Sequence, residues 1–145
     1  MRWSREIGRG LAIAVGLFIA GTAEIALLWR HPLLLAVLLL ASGLGAIALL
    51  RKPFYLAVFL IGALLGPTAE IVGVWAGGWR YAHATPLGIP LWLPCAWGVA
   101  IVIVQATAHA LALLFAPQAK LAADRDRPVE RGHSNAVGDP ESRGS

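Results

Sequence analysis

The chain has 145 residues, 58% of them hydrophobic and 14% charged, with a formal net charge of +4. Its charges lie mostly outside four apolar stretches, which leaves no material for a soluble core and predicts one all-α, polytopic membrane domain. The positive balance is not a nucleic-acid signature, because the basic residues flank the apolar runs, where they set orientation in a membrane.

The predicted spans are 11–29, 33–50, 54–76 and 91–116, each long enough to cross a hydrocarbon layer of ~30 Å as a helix. The first follows Arg2, Arg5 and Arg9, and Gly21-Thr22-Ala23 resembles a signal-peptide cleavage site. The apolar run continues to Trp29, however, so a retained span is the better reading. Pro32 and Pro53 open the second and third spans, where a missing N–H costs nothing. With four spans both termini share a side. That side carries Arg2, Arg5, Arg9, Arg51, Lys52, Lys120, Arg125, Arg127 and Arg131, against Arg30 and Arg80 on the other. The positive-inside rule then puts both termini in the cytoplasm of a multi-pass protein of the cell (inner) membrane.

The connection from Gly77 to Pro90 is too rich in Gly and Pro for a continuous helix and too aromatic for a plain solvent loop. It is expected to lie back onto the outer mouth of the bundle. Residues 117–145 alternate in charge and are poor in apolar side chains, which predicts a disordered cytoplasmic tail. The lone Cys95 reads as a small buried helix residue.

One phrase occurs twice. Thr22-Ala23-Glu24-Ile25 with Trp29, and Thr68-Ala69-Glu70-Ile71 with Trp75, stand in matching contexts near the outer ends of the first and third spans. This predicts a parallel two-helix repeat. At ~1.5 Å per residue both glutamates lie ~7–8 Å below their tryptophans. A carboxyl inside a membrane span marks function by default. Gly16, Ala20 and Glu24 share a helix face, as do Gly62, Gly66 and Glu70. Small residues let membrane helices approach closely. The expectation is therefore that the first and third helices pack through these stripes and bring Glu24 and Glu70 together as a pair that titrates as one unit. The bland alternative is that each glutamate is a structural hydrogen-bonder. Pro67 is expected to bend the third helix and to open space beside Glu70.

Trp75, Trp79, Tyr81, Trp92 and Trp97 cluster on the outer side. They read either as an interfacial belt or as the wall of a cavity for a lipid-like or polyene ligand. Arg80 and His83 are the nearest candidate partners of the glutamates, with a headgroup contact and a solvated loop histidine as the plainer readings. No second ligand stands at metal spacing to His83, so neither a metal nor a cofactor is expected. Gln105 and His109 are left outside the site, Gln105 as a cross-bundle hydrogen-bonder and His109 as too near the cytoplasmic end.

The segment from Glu70 to Trp97 resembles the carotenoid-biosynthesis integral membrane proteins, of the bisanhydrobacterioruberin hydratase type. The resemblance rests on Glu70-x-x-Gly73-Val74-x-x-Gly77, an aromatic segment ending Tyr81-x-His83, and Gly88-Ile89-Pro90-x-x-x-Pro94-x-Ala96-Trp97. His83 stands where that family has a second tyrosine, and Glu24 lies outside the match. The resemblance implies hydration of a terminal isoprenoid double bond, with Glu70 as the acid, Glu24 as its partner, and Trp75, Trp79, Tyr81, Trp92 and Trp97 as the wall. Two other classes stay open, a small proton- or cation-coupled transporter subunit and a non-catalytic scaffold. The partners expected are membrane lipids and a lipophilic isoprenoid ligand, with a homo-oligomer open. P-loop, Gly-x-Ser-x-Gly and His-Glu-x-x-His motifs are absent from the sequence.

Overall fold

The computed structural model describes residues 2–125, with side chains from 5 to 115. Four helices follow in order: α1 (Arg2–Leu28), α2 (Pro32–Leu50), α3 (Phe54–Trp75) and α4 (Leu93–Arg125). Each contains a stretch long and apolar enough to cross a membrane. Large apolar side chains such as Leu27 (78% exposed), Leu64 and Phe18 point outward all round the bundle. Such a surface suits lipid rather than water, and the chain is a multi-pass integral membrane protein.

Two connections are very short, so neighbouring helices run antiparallel. Pro32 occupies the first turn of α2, and α2 ends where Arg51 turns left-handed (φ 56°) and returns its N–H to the Ile47 carbonyl. The end of α3 is a Schellman turn. Gly77 adopts φ 81° and donates to the Val74 carbonyl, while Gly78 donates to that of Gly73. α4 runs on past Pro117 to Arg125, later than the boundary expected from hydropathy. The residues Gln118, Ala119, Lys120, Leu121, Ala122 and Ala123 are strong helix formers although they are not an apolar run. Of the expected tail, 126–145 lies outside the described residues.

α4 is the centre of the bundle. It packs on α3, α1 and α2, whereas α1 and α3 share no pair of Cα atoms within 8 Å. α1 and α3 therefore stand at opposite corners, with α2 and α4 between them. The core joins Ala14 and Leu17 of α1, Ala46 and Leu50 of α2, Tyr55 and Phe59 of α3, and Val99, Val102 and Ala106 of α4. Phe59 explains the junction of three helices. Its ring lies where a Cβ on Gly43 of α2 would come within 2.8 Å of it, and one on Gly98 of α4 within 2.6 Å. Glycine on both neighbours is what lets the ring enter.

Candidate functional site

The small-residue stripes do mediate close packing, but not with each other. On α3, a Cβ at Gly62 would meet Ile101 and the Trp97 carbonyl at 2.8–2.9 Å, and one at Gly66 would fall 2.2 Å from the Trp97 ring. That stripe seats α4. On α1, nothing lies within 4 Å of a Cβ on Gly16. Gly16 and Ala20 line a groove between α1 and α2 instead. The expected meeting of Glu24 with Glu70 is therefore corrected. Their helices bring no Cα pair within 8 Å, and each carboxylate has its own partners.

Glu70 holds the folded-back connection. Both Trp79 Nε1 (3.1 Å) and Tyr81 Oη (2.7 Å) donate to Glu70 Oε2. Oε1 makes no hydrogen bond among the described residues. The approach of Trp79 depends on Gly73, because a Cβ there would lie 2.3 Å from the indole. The rest of the connection is ordered by its own turn. Thr85 donates through both its N–H and its hydroxyl to the Ile89 carbonyl, and Gly88 N–H donates back to the Thr85 carbonyl. Gly88, at φ 86°, sits against Val74 where a side chain would clash at 2.7 Å. Ile89 and Pro90 are buried. The loop thus lies down on α3, and the Tyr81 phenol is pushed up to about 12, first by burial and then by its bond to Glu70. It remains a hydrogen-bond donor across the physiological range.

Other expected wall residues divide. Trp97 lies one turn below Glu70 on the same face of α3, packed on Gly66. Trp92 is half-buried, and Trp75 is 71% exposed and faces outward. His83 turns left-handed (φ 57°) and packs on Trp29, with ring centroids 5.7 Å apart, rather than on a glutamate. Arg80 is exposed and bonds neither glutamate among the described residues. Arg30, not expected in any site, lies 5.1 Å above the Trp29 ring. Pro67 is buried within a helix that continues through it. Beside it, the Thr68 hydroxyl donates to the Leu64 carbonyl of its own helix, which explains that threonine without a site.

Glu24 meets α2. Ser42 Oγ donates to Glu24 Oε1 at 2.5 Å, and Glu24 Oε2 is buried without a partner among the described residues. Side chains on a helix lean toward its N-terminus, so the Glu24 carboxylate drops toward mid-membrane, where Ser42 lies. An unpaired buried polar atom is costly and calls for explanation.

A third cluster, at the other end of the bundle, was not expected. Lys52 Nζ lies 2.7 Å from Glu6 Oε1 and 2.9 Å from His109 Nε2. Lysine has only donors, so both neighbours accept. The cluster ties α1, the α2–α3 turn and α4 together, with a cavity of 20 Å³ beside it that is also lined by Arg9 and Tyr55. The available signal was spacing. Glu6 stands about five turns before Glu24 on one helix, and so shares its inward face. No group of three or more potential metal ligands occurs among the described residues. No family model, characterised protein or solved structure matches the chain.

Proposed function

We propose that the chain is a membrane enzyme acting on a terminal double bond of an isoprenoid-type lipid, a hydratase like those of carotenoid biosynthesis, with Glu70 as its acid–base residue. One observation carries the reading: two donors converge on Glu70 Oε2 and leave Oε1 to exchange a proton. A single carboxyl then balances the reaction. The alkene π pair takes the proton from Oε1 to make a new C–H bond, leaving a tertiary carbocation. Water attacks that cation, and its surplus proton returns to Oε1. No second carboxyl is needed, so Glu24 has no step in it. Trp79, bonded to Glu70, and Trp97, packed on Gly66 one turn away, offer aromatic faces to the cation. Given the distribution of basic residues, the site belongs to the outer half of the cell membrane, with both termini cytoplasmic.

The test is lipid mass spectrometry of a deletion strain restored with wild type, with Glu70→Gln or with Glu24→Gln. The expected result is that Glu70→Gln accumulates an alkene lighter than the product by one water, while Glu24→Gln restores the product. A wild-type lipid profile with Glu70→Gln would remove the proposal.

A second reading has an observation of its own. The bonds from Trp79 and Tyr81 would by themselves staple the connection to α3, making Glu70 a latch in a non-catalytic scaffold. In that case Glu70→Gln lowers thermal stability and leaves the lipids unchanged. The carrier reading finds less support. Between Glu6 and Glu24, α1 contributes Ala14 and Leu17 to the apolar core.

A further inference from the structure

A groove of 500 Å³ runs between α1 and α2, within the size range of small-ligand sites. Its walls are almost wholly apolar, with Ile13, Leu17, Ala46 and Leu49 among them. It opens because Gly16 and Gly45 face each other across space. Nothing lies within 4 Å of a Cβ built on either. Arg9 stands at one end and Ser42 toward the other. Near that far end the bond from Ser42 to Glu24 ties the two helices. From Arg9 to Ala20 the groove follows α1 for about 16 Å, close to half of a ~30 Å hydrocarbon layer. Arg9 also lines the small cavity that holds Lys52 and Glu6. The polar mouth therefore carries two cations against one carboxylate. Lys52 is paired there with Glu6, whereas Arg9 forms no ion pair among the described residues.

We propose that this groove is a binding site for one acyl chain of an anionic phospholipid from the leaflet on the Arg9 side, with the headgroup phosphate at Arg9. The site is separate from Glu70 and stands whether or not that carboxyl does chemistry. The length of the groove matches one leaflet. The charge at its mouth selects the headgroup, as basic pockets between membrane helices do.

The test uses the full chain reconstituted in vesicles of phosphatidylcholine mixed with phosphatidylglycerol, extracted in mild detergent and weighed by native mass spectrometry. Wild type is expected to retain phosphatidylglycerol in preference to phosphatidylcholine. Gly16→Leu and Gly45→Leu put side chains into the groove from α1 and α2 at positions where a Cβ meets nothing within 4 Å, and both are expected to lose the retained lipid while melting at the wild-type temperature. Arg9→Gln is expected to keep a lipid but to lose about fivefold of the preference for the anionic one. Retention unchanged in both leucine variants would overturn the assignment, as would equal retention of the two lipids by wild type. So would a wild-type dimer that either leucine variant turns into a monomer, because a second copy of the chain would then occupy the groove.

Discussion

The two copies of the Thr-Ala-Glu-Ile phrase have nearly the same local chemistry and opposite fates. In α3 the stripe ending at Glu70 is filled, with Trp97 on Gly66 and Trp79 on Gly73, and the carboxylate receives two donors. In α1 the equivalent stripe borders an open groove, and Glu24 receives one donor and leaves an oxygen unpaired. The difference arises from the corner each helix occupies. α3 stands against the tryptophan-bearing start of α4 and beneath the long connection. The corresponding stripe of α1 borders Ser42, Gly45 and Ala46 of α2. A helix face can specify what it is able to bury, but its neighbour decides what is buried there.

The largest contrast should come from filling the glycines. Gly66→Ala forces a Cβ into the Trp97 ring and should cost about 1–3 kcal/mol, the usual range for overpacking. Gly16→Ala should stay within about 0.5 kcal/mol, as substitutions into open space do. Thermal unfolding of the two variants in the same detergent checks this, and equal losses would erase the distinction between the stripes.

Next come the polar ties. Ser42→Ala removes the only donor to Glu24 among the described residues, and leaving a buried acceptor unmet costs about 1–3 kcal/mol. Tyr81→Phe removes one of two donors to Glu70 and should cost about 1 kcal/mol. Its second readout is local. Trp79 keeps its own bond to Glu70, so protease cleavage between 76 and 92 should rise only modestly, whereas Glu70→Ala removes both bonds and should raise it further.

The titration of Tyr81 sharpens the picture of the filled site. Its folded value is raised to about 12 from an ordinary 10.0, burial first and Glu70 second. The sign follows from linkage. The stabilisation is complete below pH 10, where both folded and unfolded phenols are protonated, and it is lost as the pH rises through 12. In a Tyr55→Phe background, ultraviolet difference titration should show Tyr81 ionising late. Glu70→Gln should bring it earlier without restoring 10.0, because burial remains. A full return to the ordinary value would mean that the carboxylate, not burial, is the main cause.

The smallest effect is expected at Thr68. Its hydroxyl bonds only its own helix, so Thr68→Ala should change stability by less than about 0.5 kcal/mol.

How much could be read beforehand varied with the range of the interaction. The four spans, the proline-led helix starts and the inward fold of the 77–90 connection were legible, because hydropathy, backbone restriction and aromatic content act over a few residues. The shared face of Gly62, Gly66 and Glu70 was legible from helical spacing, but the partners of Glu70 were not, since Arg80 and His83 were expected nearest to it and Trp79 and Tyr81 donate to it instead. The pairing of Glu24 with Glu70 was not legible, and neither were Ser42 or the Glu6–Lys52–His109 cluster. Those joins span separate helices, and spacing along one helix carries no record of which neighbour stands opposite.

The amino-acid order alone determined that this protein lives in a bilayer as four helices with two carboxyls near one end, because burial of apolar length leaves no other economical solution. Only the packed bundle decided that α4 would take the centre and hold α1 and α3 apart. That choice turned on shape, with Phe59 entering between Gly43 and Gly98 and Trp97 settling on Gly66. Contacts of that kind depend on three helices at once, and they left one glutamate beneath a latched loop and the other beside an open groove.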